Sequence, residues 1–391
     1  MDVFINYSFY FMTLSSQFLS HFEVLQDPRK ESHLKRHLLM DILVLTILAV
    51  ICGADSWVEV EEFGEEKEEW LKTFLTLMHG IPSHDTIGRV FASLSTRALE
   101  ECFMKWVHSL VQVTNGEIIA IDGKTVRGSR TTKKGESPSA IHMVSAWAAQ
   151  QNMVLGQRQV DEKSNEITAI PALLKMLDIK GGIVTIDAMG CQRKIATKII
   201  DQGADYVFTV KDNQGDLHQK MIELFEKVEQ KNWQDIWYKQ SETVDGGHGR
   251  VETRRYSVLP VMYLPWMASQ KWQGLQSLVM VERTRDINDK ISYEKHYYIS
   301  SLKPNADIIG DAIRSHWCIE NKLHWSLDVA FREDQCRVRT GNAASNFAII
   351  RHIALNLLKN EKSSKVGIKI KRSKAGWNNT YLAKVLAASD S

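Results

Sequence analysis

With 391 residues, 44% hydrophobic and 25% charged, the chain is too apolar for a disordered or fibrous protein and has room for two or three domains. Its net charge of +2 hides an asymmetry: residues 1–110 hold 9 basic and 16 acidic side chains, so the positive excess lies in the remainder, the portion expected to meet a polyanion. The five cysteines are widely separated, without a C-x-x-C pair, which argues against a zinc ribbon or disulfide framework and suits a reducing compartment.

Residues 1–112 are predicted to form a helical N-terminal domain that takes part in DNA-end binding or in assembly. A signal peptide requires a basic residue before its apolar stretch, and none precedes the first apolar stretch here. The apolar run at 42–54 is shorter than a membrane span. We therefore expect a cytoplasmic, nucleoid-associated protein with no membrane partner. In GIPSHDTIGRVF, Gly80 and Pro82 end one helix and Ser83 or Asp85 caps the next. The acidic charge favours a simple helical hairpin there over a DNA-reading helix.

From residue 113 the hydrophobic period changes to that of an α/β domain. Three strand-like segments, EIIAIDGKTVRGS, IHMVSAWAAQQ and MVLGQRQV, precede an alternation of helix, strand, helix and strand that reaches residue 230. This order predicts a mixed sheet flanked by helices. Residues 231–303 are predicted to form a β-rich insertion, 304–360 a helical second part of the core, and 361–391 a basic, solvated C-terminal tail.

Two apolar strands of the predicted core each run into one aspartate. EIIAID ends at Asp122 and GIVTID at Asp187, and the carboxyl ends of strands are where ligands of open α/β sheets gather. Each aspartate alone has a simpler interpretation, because Asp122-Gly123 is also a hairpin-turn pair and Asp187 is also a potential helix cap. Their common placement favours a shared acidic site.

A third acid, Glu320, lies on a predicted helix that spans residues 314–331. At 100° per residue Glu320 falls among the apolar side chains of that helix, so a buried salt bridge and a metal ligand are the alternative interpretations. Three carboxylates without histidine or cysteine at metal spacing are typical ligands of Mg²⁺ or Mn²⁺ and not of zinc. Two such ions in the active complex suit in-line phosphoryl transfer. Glu333 and Asp334 are the fallback acids.

The strings that carry these acids resemble one known family. AIDGKTVRGS, VTIDAMGCQ, YVFTVKDNQ and HWCIENKLHWSLDVAFRED, with GADSW and GIPSHDTIGRVF nearer the N-terminus, are similar to the H-repeat-associated transposases linked to Rhs elements, in the ISAs family of bacterial insertion sequences. The resemblance runs over nearly the whole chain. It implies an RNase H-like catalytic domain with a DDE triad, a β insertion before the final glutamate and a helical N-terminal domain. Carried over by motif, Asp122, Asp187 and Glu320 are the triad and the metal ligands.

The sequence departs from related DDE transposases around the glutamate. Where those enzymes have a tyrosine, an arginine and a lysine, this chain has Ile313, His316 and Leu327. Trp317 is interpreted either as a packing residue or as a platform for an unpaired base. The residues assigned to DNA contact, near the acids or just past strand ends, are Lys124, Arg127, Lys211, His316, Asn321, Lys322 and His324. Surface solvation is the alternative for Lys124, Arg127 and Lys211.

The resulting hypothesis is a magnesium- or manganese-dependent DDE transposase that cleaves double-stranded DNA at element ends and transfers the strand into target DNA. The family implies a homodimer in the DNA complex, because two ends are joined. Two alternatives stay open: an RNase H-like nuclease without strand transfer, and a catalytically inactive DNA-binding remnant.

Overall fold

The N-terminal region is helical, as the sequence predicts. In a computed structural model of the chain, the described residues are 18–31, 35–111, 113–131, 139–160, 164–247, 249–288 and 290–387. The first four helices are α1 (Leu39–Cys52), α2 (Trp57–Leu71), α3 (His84–Ser93) and α4 (Thr96–Leu110). Side chains of Ser56, Ser83 and Ser95 accept hydrogen bonds from the first turns of α2, α3 and α4, which fixes where these helices begin. Ser83, one of the two expected caps, is the cap used.

Helix α1 is buried around almost its whole circumference. Its sequence LMDILVLTILAVIC has no polar stripe, as is typical of a central helix in a core. Within the described residues no single helix has the length and apolar character of a membrane span. Only together do α1 and α2, bent by 95° at their junction, reach that length and apolar composition.

One nine-stranded sheet forms the centre of the molecule. Its strands are β1 (Ile118–Thr131), β2 (Ser139–Ala148), β3 (Met153–Gln159), β4 (Ile183–Ile186), β5 (Asp205–Val210), β6 (Lys239–Gly247), β7 (Arg250–Pro260), β8 (Ser277–Ile287) and β9 (Lys290–Ser300). Their spatial order is β3-β2-β1-β4-β5-β9-β8-β7-β6. Strands β1, β4 and β5 are parallel to one another, and the other pairings are antiparallel. The mixed sheet and the order of the first five strands confirm the RNase H-like prediction.

The insertion strands β6 to β9 extend the core sheet and do not form a separate layer. Strand β9 pairs antiparallel with β5, from Val207 opposite Ser300 to Val210 opposite Tyr297. Because the hydrogen-bonded ladder continues without a break, side chains on β7 and β8 hold fixed positions relative to the core strands.

Helices cover the faces and complete the chain. They are α5 (Glu166–Leu174), α6 (Arg193–Asp201), α7 (Gly215–Gln230), the short α8 (Trp266–Ser269), α9 (Ala306–Cys318), α10 (Trp325–Val329), α11 (Ala343–Asn360), α12 (Ile368–Trp377) and α13 (Asn379–Ala387). A π-helical turn at Ile319–His324 joins α9 to α10. Helix α11 contains 16 buried residues, and packs against α1, α3 and α4.

The C-terminal region corrects the expectation of a solvated basic tail. Helix α12 packs against α1 and α11, and α13 packs against α11 and α12. Lys371 and Arg372 are buried. The Arg372 guanidinium donates through Nη2 to the Val50 carbonyl at 2.8 Å, near the end of α1, and pairs with Asp55 at 3.5 Å. Composition indicated a tail because lysines and arginines are rarely buried, but here backbone carbonyls at helix ends satisfy them.

Candidate functional site

Asp122 and Asp187 lie side by side at the carboxyl end of the parallel strands. The pairing of β1 with β4 ends at Ile121 opposite Ile186, so each aspartate directly follows the last paired residue. The prediction that β1 ends at Asp122 was wrong. The strand continues to Thr131 because β2 keeps pairing with it, and the hairpin-turn interpretation of Asp122-Gly123 is excluded.

Glu320 lies in the π-helical turn and not on a regular helix. The buried apolar residues include Ile309 and Ile313 before the turn, Leu323 within it and Leu327 after it. The π turn shifts the helical phase, since its hydrogen bonds span five residues in place of four. Glu320 is therefore exposed, and its predicted burial on an apolar face was wrong.

One cavity brings the three acids together. Asp122, Asp187 and Glu320 all line a cleft of about 290 Å³ between the sheet face and α9. Within the described residues, no three histidine, cysteine, aspartate or glutamate side chains already converge closely enough to hold a metal ion. The carboxylates share a space but are splayed within it.

The two aspartates carry the electrostatic signature of crowded anions. Burial, together with the charges of Asp187, Glu166 and Glu320, raises the pKa of Asp122 to about 7, although the Gly123 amide donates to it. Burial and Glu166 also raise the pKa of Asp187, against hydrogen bonds from the Gly190 and Met189 amides. A positive charge in the cleft would relieve this repulsion.

Glu166, at the start of α5, is a fourth acid near the site that the sequence reasoning missed. Its Oε1 atom lies 2.6 Å from His142 Nε2, and His142 Nδ1 lies 2.9 Å from the Thr125 hydroxyl. The pair packs over Gly123, where a Cβ atom would overlap the Glu166 carboxylate and lie 2.5 Å from His142 Nε2. The glycine after Asp122 is thus a requirement of close packing.

Lys124 belongs to an ion-pair cluster and is not a free phosphate ligand. Its ammonium lies 2.7 Å from Asp328, 3.1 Å from Glu333 and 3.4 Å from Asp334, and its side chain is 11% exposed. Arg351 approaches Glu333 from α11 at 3.7 Å. This cluster, called the Lys124 latch below, joins β1 to the segment after Glu320. It also engages Glu333 and Asp334, the fallback acids.

The other residues assigned to DNA contact occupy different surroundings. Lys211 is exposed and lines the cleft. His316 also lines it, but its Nδ1 lies 3.0 Å from the Thr185 hydroxyl and burial lowers its pKa to about 4, so it is neutral at pH 7. His324 is buried, with Nδ1 3.7 Å from Asp122 Oδ2, and thus flanks the acid instead of facing solvent.

Besides Lys124 and His324, three further assigned residues are absent from the cleft lining. Arg127 is exposed, with Nε 3.6 Å from Asp334. Asn321 is exposed in the π turn, and Lys322 donates to Asn152 at 2.8 Å, on the turn between β2 and β3. These three residues remain surface residues next to the site.

The family's polar positions around the glutamate are filled by core residues here. Ile313 and Leu327 are buried, which leaves no polar group at either position. Trp317 is 52% exposed and lines the cleft, so the packing interpretation of this tryptophan was wrong.

The part of the cleft formed by the insertion strands is cationic. Besides Lys211 the cleft is lined by Arg254 on β7 and Arg283 on β8, and by His296 on β9, whose pKa is lowered mainly by burial. Sequence reasoning missed these residues because cross-strand pairing decides which face they share. The available signal was the alternation in VERTRDI and VETRRYS.

Comparison with known proteins identifies the family. Residues 19–107 match the model of the DDE_Tnp_1-associated domain and residues 114–357 that of the transposase DDE domain. The chain belongs to the DDE transposase family. It is 45% identical over 373 residues to the putative transposase YncI of Escherichia coli O157:H7, covering 95% of this chain and 94% of that protein. It is 44% identical over 375 residues to the H repeat-associated putative transposase YhhI of E. coli K12, covering 95% and 98%.

Two further matches complete the comparison. A stretch of 54 residues is 54% identical to the inactive transposase YbfQ of E. coli K12, covering 14% of this chain and 64% of that protein. A solved piggyBac transposase synaptic complex with hairpin DNA aligns with a TM-score of 0.44 at 10% identity, over 97% of this chain and 80% of that chain. The similarity to H-repeat-associated transposases confirms the predicted family, whose members generally use divalent metal ions.

Proposed function

We propose that this DDE transposase cleaves DNA strands at the ends of a mobile element and transfers them into target DNA, using Asp122, Asp187 and Glu320. The observation that carries the proposal is the convergence of these carboxylates on one cleft. The two aspartates follow the last paired residues of the parallel strands β1 and β4, and Glu320 comes from a helical turn up to 198 positions away in the chain.

The donor set fits a hard divalent cation. All three side chains offer oxygen, and burial together with the neighbouring carboxylates raises the pKa of Asp122, an effect that a bound cation would oppose. Asp122, Asp187 and Glu320 would hold the Mg²⁺ or Mn²⁺, as two ions in the active complex, after rotating toward the shared space. When bound, such ions polarise the scissile phosphate and lower the pKa of the attacking hydroxyl.

The chain's own residues position the reactants. Burial and the Gly123 and Gly190 amides fix the two aspartates at the sheet edge. Lys211 and the arginines of the insertion strands, Arg254 and Arg283, supply positive charge for the phosphate backbone. Water attacks the phosphodiester first and breaks its bond to the 3′ oxygen, which leaves a 5′ phosphate and a 3′ hydroxyl. That hydroxyl then attacks a target phosphate in line, forms a new phosphodiester and displaces the 3′ hydroxyl of the target strand.

The decisive test uses a supercoiled plasmid that carries the cognate element ends, with protein and Mg²⁺. Nicking followed by joined products supports transposition, nicking alone indicates a nuclease without strand transfer, and binding alone indicates an inactive remnant. Glu320→Gln should abolish cleavage and leave the Kd for end DNA within a fewfold of wild type. The substitution removes a negative charge from the cleft but keeps the size and packing of the side chain. Unchanged cleavage would remove Glu320 from the triad.

Joining two ends requires two active sites in one complex, so we propose that the DNA-bound form is a homodimer. Light scattering of the protein mixed with end DNA should give the mass of two chains. A monomeric complex that still joins ends would contradict this.

A further inference from the structure

The sheet face that begins at Asp122 and Asp187 continues without interruption into the insertion. Along β7 and β8, Arg254 lies directly opposite Arg283, and the next pair on the same face is Glu252 opposite Arg285. Side chains two residues apart in a strand point to the same side. Arg254, Arg283 and Arg285 therefore form a row, called the arginine row below, on the face that bears the acids.

The arginine row has more cations than its carboxylates neutralise. Glu252 is 1% exposed and lies 2.8 Å from Arg254, 3.2 Å from Arg285 and 4.0 Å from Arg283. Glu294 pairs with Arg283, and Asp245 pairs with both Arg254 and Arg314. Arg250 also approaches Glu252, at 3.7 Å, so five guanidinium groups share three carboxylates, and Lys211 adds a further charge at the near end of the row.

The carboxylate at the centre of the row leaves two guanidinium groups incompletely satisfied. Arg283 Nε lies 4.0 Å from Glu252 Oε1 and Arg285 Nε lies 3.2 Å from the same oxygen, and neither contact forms a hydrogen bond among the described residues. Arg283 and Arg254 nonetheless line the cleft that holds the acids. Guanidinium groups that line a cleft and outnumber their carboxylate partners are suited to an oxygen-rich anion, and arginine binds phosphate with paired donors.

The position of the row sets its distance from the acids. Strand β8 is three ladder steps from β4, and β7 is four, in the order β4-β5-β9-β8-β7. At about 4.8 Å per step the backbones are roughly 14 and 19 Å apart. Phosphates of one DNA strand are spaced about 3.4 Å along the duplex axis, so this span corresponds to roughly four to six nucleotides.

We propose that Arg254 and Arg283 bind backbone phosphates of the DNA a few nucleotides away from the phosphate that is cleaved. Lys211 lies between these arginines and the acids and contributes to the same contact. The inference rests on the proposed function. It assigns to the insertion a sequence-independent role in holding the substrate, because phosphate contacts position the duplex without reading bases.

Binding is measured without chemistry, by fluorescence anisotropy of a labelled duplex carrying the element end, in EDTA, over a series of salt concentrations. The double variant Arg254→Gln, Arg283→Gln should bind at least about tenfold more weakly. Its slope of log K against log salt should become less negative by about 1 to 2. The matched control is Arg255→Gln. Arg255 neighbours Arg254 on β7 but points to the opposite face, pairs with Glu242 at 3.2 Å and is half exposed, so this variant should bind within twofold of wild type.

A second pair of variants separates binding from folding. Lys211→Gln changes an exposed side chain and should also weaken binding and flatten the salt dependence. Glu252→Gln removes a carboxylate from the row and should strengthen binding and steepen the salt dependence, whereas a purely structural ion-pair network predicts equal or weaker binding. A folded Glu252→Gln protein with equal or weaker affinity would overturn the proposal.

The outcomes distinguish this inference from the proposed function. If the double variant keeps the wild-type Kd and salt slope while wild-type protein cleaves and joins ends, only the arginine row is refuted. If wild-type protein fails to bind the duplex at any salt concentration, the transposase proposal fails and the arginine row with it.

Discussion

At the scale of single residues, the dominant feature is an aspartate whose charge is costly in the folded chain. Asp122 has a folded pKa of about 7, raised mainly by burial and then by neighbouring carboxylates, against about 3.9 in an unfolded chain. Between these values the folded state binds more protons than the unfolded state. Stability of the metal-free protein therefore falls as pH rises from about 4 to 7 and stays lower above that.

Asp122→Asn should consequently stabilise the metal-free protein at pH 8, by on the order of 1 to 4 kcal/mol, and change it little at pH 4. Thermal unfolding in EDTA at the two pH values measures this. Added Mg²⁺ should raise the Tm of wild type, because the cation offsets the negative charge of Asp122. It should have less effect on the variant, which lacks that charge. A pH-independent difference in Tm would contradict the crowding of charge at this position.

Lys124 shows how a residue's role depends on partners that are distant in the chain. Its position two residues after Asp122 indicated a phosphate contact, but its partners lie more than 200 positions later, in the segment around Asp328 and Glu333. No local sequence pattern predicts these ion pairs. Arg127, three residues further along the same strand, is exposed, whereas Lys124 is largely buried.

Lys124→Met should destabilise the protein by about 3 to 5 kcal/mol, because it leaves the carboxylates of the latch close together and unpaired. Urea unfolding followed by circular dichroism measures the change. Arg127→Gln is the matched control on the same strand and should cost less than about 1 kcal/mol, as expected for an exposed ion pair. Equal effects of the two substitutions would show that the latch contributes no more than a surface pair.

At the scale of elements, the turn between α9 and α10 decides where Glu320 points. Helix α9 is fixed at Arg314 by Asp245, and α10 is fixed at Asp328 by Lys124. The extra residue of the π turn lets both helices keep these contacts. Sequence periodicity predicted helix over the right residues but assumed one uniform phase, which is why it placed the glutamate on the buried side.

Deletion of Asn321 should convert the π turn to α-helix and rotate the segments relative to each other by about 100°. We expect helical circular dichroism to persist and DNA cleavage to be lost, since Glu320 and the latch then no longer fit together. Asn321→Ala keeps the chain length and should retain cleavage. Full activity of the deletion variant would show that the π turn is dispensable.

At the scale of the whole molecule, the two ends of the described chain share one core. Arg372 in α12 caps α1, and Tyr381 in α13 donates to Glu361 at 2.8 Å. The alternation of strands and helices predicted the sheet, because each element buries a continuous apolar face. Composition failed for the last thirty residues, because the buried cations there depend on carbonyls at the ends of α1 and α11.

A protein that stops after residue 360 should therefore be aggregated or unfolded, because removal of α12 and α13 exposes apolar surface of α1 and α11. Soluble yield and the far-ultraviolet spectrum, compared with the full chain, test this. A solvated tail predicts a folded protein with only weaker DNA affinity, and that result would overturn the packing of the C-terminal helices.

Gly123 offers a practical guide to decayed copies of such genes. A side chain there would displace the Glu166 carboxylate and the His142 ring from their present contact, so a copy that retains all three acids but has lost this glycine should already be impaired. The position thus separates intact from degenerate copies where the acidic residues alone do not. Gly123→Ala, compared with wild type for cleavage at saturating Mg²⁺, would calibrate that criterion.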